Sequence, residues 1–297
     1  MAYRSGGTIL LWTWTGIRRT IAVLGLLVLP STAGYAADPA TAPDIARIIA
    51  RGTLVVAAYK SDMPPFFYVD AAGKPGGIDV ELATDIAQRL GVKLNYARMA
   101  DNFDDLPHLV ASRKADVAIS YLSRTLRRAA LVRFTQPYAR LRQTLMVNRT
   151  KTAPLFRGGE RVEMLNDASV QVGVEDGSSY VDFAAERLPR AQVKPYPSNE
   201  DAIAALLAGQ LHAVMVDEGF SYSLTRVQAG VPRYRVRDDW ALYVKIVPLT
   251  GARDPIAMAV HRDDPNWLAW LDTYIADRQE DGTLDRLLDR HLGGPRK

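Results

Sequence analysis

Residues Ala115 to Tyr138 read ADVAISYLSRTLRRAALVRFTQPY, and the rest of the chain is organised around them. Val117-Ala118-Ile119 is a short apolar run that suits a buried strand ending at Ser120. A hydroxyl-bearing turn follows with Ser120, Tyr121, Ser123 and Thr125, then a basic helical segment with Arg127 and Arg128. A strand running through hydroxyls into a helix start offers free N–H groups to an anion, and a guanidinium can grip a carboxylate with two parallel bonds. The same residues also suit a Ser/Thr cap on a solvent-exposed basic helix.

Working outward, the segment before it alternates strand and helix. Leu54 to Ala58 predicts a buried strand, and the loop Tyr59–Tyr68 leaves its C-terminal end, where open α/β sheets bind ligands. Phe66 and Phe67 in that loop suit hydrophobic packing. Leu82, Ile86 and Leu90 recur every four residues, so Ile78–Leu90 reads as a helix with Asp79 capping it or its entry turn and Gly91 ending it. Val92–Tyr96 reads as a second strand and Phe103–Ala111 as a second helix. This β-α-β-α-β order implies a parallel twisted sheet.

Beyond Tyr138 the pattern starts again. Leu141–Val147 reads as a strand, followed by a loop with Gly158-Gly159. Val170–Val174 is a strand that leads through Glu175-Asp176-Gly177-Ser178-Ser179 into a helix from about Tyr180 to Leu188. That is a second anion-friendly helix start, or a plain cap and turn. Asn199–Ala208 reads as a helix and Leu211–Asp217 as an apolar strand, with Asp217 placed to cap a helix over Phe220–Val227. Ile256–Val260 is a late strand, and Trp267–Ile275 and Thr283–Leu292 are closing amphipathic helices.

In ordered series these motifs resemble the extracellular solute-binding proteins of family 3, which deliver amino acids and related solutes to ABC importers. The resemblance rests on Pro64-Pro65-Phe66, on Gly77-Ile78-Asp79-Val80-Glu81-Leu82, on Asp116 opening its strand, on Thr125-Leu126-Arg127-Arg128 and on Phe134-Thr135-Gln136-Pro137-Tyr138. It implies a two-lobed periplasmic-binding fold of type II, each lobe a twisted, mostly parallel sheet flanked by helices, with two hinge crossovers near Pro137–Gln143 and Leu249–Pro255. Lobe 1 would then be 44–138 plus 254–297, and lobe 2 would be 139–253. It further implies that Arg128 clamps a ligand carboxylate, helped by Ser123, Ser120 and nearby N–H groups, while Ser178 and Ser179 contribute from the second lobe. Asp217 is implied to pair with the ligand ammonium, with Tyr121 and Phe66 as possible walls.

The chain departs from the family pattern in three places, one being a slightly longer spacing between Pro107 and Asp116. Lys60 stands near the position where many amino-acid binders carry an aspartate, and Tyr121 replaces a small residue. A Lys60 facing the cleft would repel an ammonium and favour a second acidic group on the ligand. Tyr121 could narrow the site, stack on the ligand or turn outward.

Arg4, Arg18 and Arg19 precede the apolar run Ile21–Leu29 and a small-residue stretch, the order of a secretory signal peptide over 1–37 followed by a leader over 38–43. The chain contains no cysteine, which excludes disulfides, thiolate metal sites and a lipid-modified cysteine after the signal. A free periplasmic protein is therefore expected. Setting aside the three signal arginines leaves 34 basic against 33 acidic residues, so nothing indicates a nucleic-acid partner.

Enzyme signatures are sparse. The four histidines are scattered without zinc spacing, Gly177-Ser178-Ser179 is not a nucleophile elbow, and Asp217-Glu218 would point apart as an acid/base pair. The expectation is a non-catalytic protein with no cofactor and no metal, a monomer that hands a small carboxylate-bearing solute to an ABC permease at the inner membrane. Two alternatives stand beside it. One is a periplasmic enzyme like the cyclohexadienyl dehydratases, which act on prephenate or arogenate, with Glu175 as a candidate acid. The other is a binding module for a sensor or secretion partner.

Overall fold

The computed structural model describes residues 41–156, 161–226 and 230–293. The expected signal peptide, the first half of the leader, Gly158-Gly159 and Val227 lie outside them.

Two five-stranded sheets form the framework. In the first, Thr53–Tyr59 is flanked by parallel partners Lys93–Ala100 and Val117–Ala118, and the antiparallel strands Ala259–Val260 and Arg133–Phe134 complete the order. Leu54, Val56, Ala57 and Ala58 are fully buried, as expected for a central strand covered on both faces. The helix Ile78–Arg89 packs Ile78, Leu82, Ala83 and Ile86 onto this core, with Trp267 and Leu271 of Pro265–Glu280.

The second sheet runs Val244–Ile256, Ala139–Asn148, Ala213–Asp217, Gln171–Glu175, Gln192–Tyr196. Its side chains alternate with period two into separate cores. Leu145, Val147, Ala213, Met215, Val172 and Val174 face one layer, whereas Met146, Val214 and Val216 face the other. Both sheets are parallel where strand–helix–strand units build them and antiparallel where the chain crosses from one to the other.

The crossing segments are strands, which the sequence reading did not assign near Leu249–Pro255. Val244–Ile256 is one long strand paired antiparallel with Ala139–Asn148, from Val244 opposite Asn148 to Ile256 opposite Ala139. A register shift between Pro248 and Arg253 interrupts it. The run Lys245–Ile256 carries Pro248, Gly251 and Pro255, which hide a strand from any propensity argument; tertiary pairing overrides them.

Gly77 fixes the entry to the Ile78–Arg89 helix. Its φ is +108°, and a Cβ there would lie 2.4 Å from the Phe66 carbonyl oxygen. Gly77→Ala is expected to lower the unfolding free energy by roughly 2–4 kcal/mol, from backbone strain plus overpacking. A urea melt showing a loss under about 0.5 kcal/mol would remove this role.

Candidate functional site

The carboxyl ends of four strands meet between the lobes. Tyr59 ends Thr53–Tyr59, Ser120 follows Val117–Ala118, Glu175 ends Gln171–Glu175, and Asp217 ends Ala213–Asp217. This is the edge of an α/β sheet where ligands sit. The cavity at this point has a volume of about 20 Å³, room for about one water.

Arg128 forms one wall. Thr125 caps the short Leu126–Ala129 helix by accepting from the Arg128 backbone N at 3.3 Å, which turns the arginine side chain inward. The guanidinium is 2% exposed; Nε donates to Asp104 Oδ1 at 3.1 Å, Nη1 to the Ser123 carbonyl at 3.1 Å and Nη2 to the Gly177 carbonyl at 3.2 Å. Burial lowers its pKa, and the Asp104 carboxylate opposes that effect. Beside it the Ser123 and Ser179 hydroxyls lie 2.8 Å apart, and Ser123 donates to Asp254 Oδ2 at 2.8 Å. Ser178 Oγ donates to the Glu175 carbonyl at 2.5 Å and accepts from Tyr180 N at 3.2 Å, which holds the second turn in shape.

The opposite wall is acidic. Asp217 is fully buried and caps the Glu218–Thr225 helix, its Oδ1 accepting from Phe220 N at 3.0 Å. Its oxygens also accept from the Tyr180 hydroxyl at 2.9 Å and from the Tyr121 hydroxyl. Burial raises its pKa against these hydrogen bonds. Glu175 accepts from the Tyr59 hydroxyl at 3.2 Å and from Asn199 Nδ2 at 2.7 Å, and burial pushes its carboxyl up to about 7. Asp254 is also pushed up to about 7, by burial first and then by the Asp217 charge; its Oδ1 has no hydrogen-bond partner in the structure.

The structure brings Arg128, Ser123, Tyr121, Ser178, Ser179 and Asp217 to this cavity. It places three other residues elsewhere. Ser120 sits behind the site, its Oγ accepting from Tyr59 N at 2.9 Å. Phe66 stacks on the back of the Tyr121 ring, with centroids 4.0 Å apart. Lys60 points outward to Asp101 at 2.6 Å, both side chains exposed. Strand alternation explains Lys60: Tyr59 takes the inward direction to reach Glu175, so the next residue faces away. A ligand contact by Lys60, with the acidic preference it would bring, is therefore not what this arrangement offers.

Asp254 and Tyr180 were not singled out in the sequence. Tyr180 follows directly on the Gly177-Ser178-Ser179 turn, a signal that could have found it. Asp254 carries none, because only the pairing of Val244–Ile256 with Ala139–Asn148 brings it opposite Leu141 and beside Ser123. Among the described residues no group of three or more His, Asp or Glu is placed to hold a metal ion, and no helix is long and apolar enough to cross a membrane.

Residues 55–294 match the family model for bacterial extracellular solute-binding proteins, family 3. The chain belongs to that family. Among family relatives it is 24% identical over 281 residues to the L-cystine-binding protein TcyJ of Escherichia coli, covering 92% of this chain and 95% of that protein. It is 26% identical over 200 residues to the cyclohexadienyl dehydratase of Pseudomonas aeruginosa, covering 67% and 71%. In three dimensions it is similar to the ancestral amino acid-binding protein AncCDT-1, described as a precursor of cyclohexadienyl dehydratase, with a TM-score of 0.68, 26% identity and 84% and 100% of the two chains covered. The type II two-lobed architecture of the family is that of the two sheets described above.

Proposed function

We propose that this chain is the periplasmic substrate-binding component of an ABC importer, closing its lobes on an amino acid or a related small carboxylate. The observation that carries this reading is the pairing, across one cavity, of a buried arginine from one lobe with a buried aspartate from the other. Arg128 and the Ser123, Ser178 and Ser179 hydroxyls suit a carboxylate, and Asp217 suits an ammonium. Lobe 1 is assigned to 44–138 plus 254–297 and lobe 2 to 139–253, the antiparallel strands between them acting as the hinge. The closed cleft is held by contacts across it, including Tyr59 to Glu175, Arg127 to Asp182 at 3.2 Å, and Ser223 to the Pro64 carbonyl at 2.8 Å. With room for about one water, a solute enters when the lobes part. The partner is a permease at the inner membrane, met by a monomer exported through its signal peptide.

The test is a thermal-shift and calorimetry screen of the mature protein, stripped of carried-over solute, against the amino acids, dicarboxylates and prephenate. A ligand at 100 times its Kd is expected to stabilise the fold by roughly 2.7 kcal/mol, a shift of several degrees. No shift with any amino acid or carboxylate would reject the reading.

A second reading is favoured by Glu175, a buried carboxyl in the cavity lining that burial pushes up to about 7. In a dehydratase such an acid would protonate the departing hydroxyl of prephenate as its ring carboxylate leaves as carbon dioxide, giving water, phenylpyruvate and a Glu175 carboxylate. Turnover of prephenate, abolished in Glu175→Gln, would move the protein to that class.

A further inference from the structure

We propose that closing the cleft takes up protons on Glu175, Asp217 and Asp254, so that acid favours the closed form and alkali opens it. The inference rests on the lobe assignment and hinge motion proposed above and adds a regulation to them. Its basis is which lobe supplies each hydrogen-bond partner. Glu175 and Asp217 end strands of the second sheet, and each meets a tyrosine hydroxyl carried by the first lobe. Tyr59 donates to Glu175 Oε1 at 3.2 Å, and Tyr121 donates to Asp217. Asp254 stands on the first-lobe side, its Oδ2 accepting from Ser123 at 2.8 Å, while the Ser123 and Ser179 hydroxyls meet across the cleft at 2.8 Å. All three carboxyls line the cavity and are at most 3% exposed. When the lobes part, Tyr59 and Tyr121 leave with the first lobe, Asp254 separates from Asp217, and water takes up the freed sites.

In the closed form three carboxyls face one guanidinium. Among the described residues that line the cavity Arg128 is the one cation, and it is already paired with Asp104 at 3.0 Å. Arg127 stands at the rim, shared between Asp104 and Asp182. Glu175 receives Tyr59 and Asn199 Nδ2 as donors, with the Glu200 charge behind it. Asp217 receives the Tyr121 and Tyr180 hydroxyls and Phe220 N. Asp254 faces the Asp217 charge, which raises it, and the Arg128 charge, which lowers it. Burial outweighs the hydrogen bonds: it pushes Glu175 and Asp254 up to about 7 and raises Asp217 in the same direction. The surrounding Tyr59, Tyr121, Tyr180 and Tyr234 are raised as well, by burial first, and stay neutral. A hydrated carboxyl titrates at about 4. Closing therefore binds protons, and its advantage is fully present below the open-form value and lost as pH rises through about 7. Asp79 takes no part, because its partners, Tyr121 N and the Tyr138 hydroxyl, both stay with it in the first lobe. A zwitterionic solute brings no net charge, so closure over it keeps the same excess of acid.

The chain contains no cysteine, so Lys114→Cys and Gln210→Cys, one exposed position on each lobe, place a single dye pair on the mature protein. Single-molecule energy transfer then counts closed and open molecules from pH 5 to pH 8, first in protein stripped of solute. The closed-to-open ratio is expected to fall at least about tenfold across that range. In Glu175→Gln/Asp254→Asn, which keeps oxygen acceptors but has no charge to bury at either position, it is expected to change less than about threefold. A ratio in the otherwise unaltered protein that stays constant with pH overturns the proposal, whether or not the double variant folds. So does a folded double variant whose ratio falls as steeply. Repeating the measurement at pH 8 with amino acids and small carboxylates tests the solute reading separately. Closure by none of them, together with the tenfold fall in their absence, rejects that reading and supports the proton linkage. Closure by one of them, with no pH dependence in its absence, overturns the linkage alone. A single population under every condition overturns the hinge motion and the linkage together.

Discussion

Arg128→Ala is expected to weaken binding of a carboxylate ligand by about 2–5 kcal/mol, or roughly 30- to 5,000-fold in Kd, the range for removing one member of a buried charge pair. From sequence alone this substitution would be expected to leave the fold nearly intact. The structure revises that expectation. Removing the guanidinium leaves the Ser123 and Gly177 carbonyls without the donors they have in the closed cleft, whereas Asp104 Oδ1 keeps Arg127 Nη2 at 3.1 Å. A buried acceptor without a partner costs about 1–3 kcal/mol. A lower melting temperature should therefore accompany the lost affinity. Arg128→Lys separates the two effects: it restores charge near Asp104 but lacks the planar fork, so it should recover stability more than affinity. Unchanged calorimetric affinity in Arg128→Ala would end the assignment of this residue as the carboxylate clamp.

The ligand-free protein is expected to be most stable near pH 5 and to lose several degrees in melting temperature by pH 8. Asp79, Glu175 and Asp254 have carboxyls pushed up to about 7, mainly by burial, and Asp217 is raised in the same direction. Unfolded carboxyls titrate near 4. Between these values the folded chain holds more protons than the unfolded one, so stability is fully present below the unfolded pKa and is lost as pH rises through the folded one. Exposed carboxyls such as Asp167 and Asp281 shift the other way, and their contribution falls away only below the usual carboxylate range, outside this window. Asp254→Asn is the clean probe. The amide can keep accepting from Ser123 through the Oδ2 position and can place its NH₂ at the unpartnered Oδ1 position, with no charge to bury. Melts of this variant from pH 5 to 8 should slope less steeply than wild type; an identical slope would show that Asp254 does not titrate in this range.

Asp217 shows how two readings of one residue coexist. The sequence left it as a helix cap or a site carboxylate. It caps Glu218–Thr225 through Oδ1 and also lines the cavity, since a carboxylate at the end of a strand presents one oxygen to the helix that follows and keeps capacity for a ligand.

The sequence by itself determined the layers and most of the elements that hold the site. Continuous apolar runs such as Val214-Met215-Val216 mark buried strands, the four-residue spacing of Leu82, Ile86 and Leu90 states which helix face is apolar, and hydroxyls after strand ends mark where an anion can be met. Tertiary structure alone decided which of those residues face one another. Asp254 reaches Ser123 across 131 positions of chain and Tyr121 reaches Asp217 across 96, and no local pattern encodes such a meeting. The same holds for Lys60, whose direction depends on which face of its strand the cleft occupies. Local propensity acts within a few residues, whereas a cleft between two lobes forms only when two separately built sheets are joined by strands whose pairing partner lies about a hundred residues away.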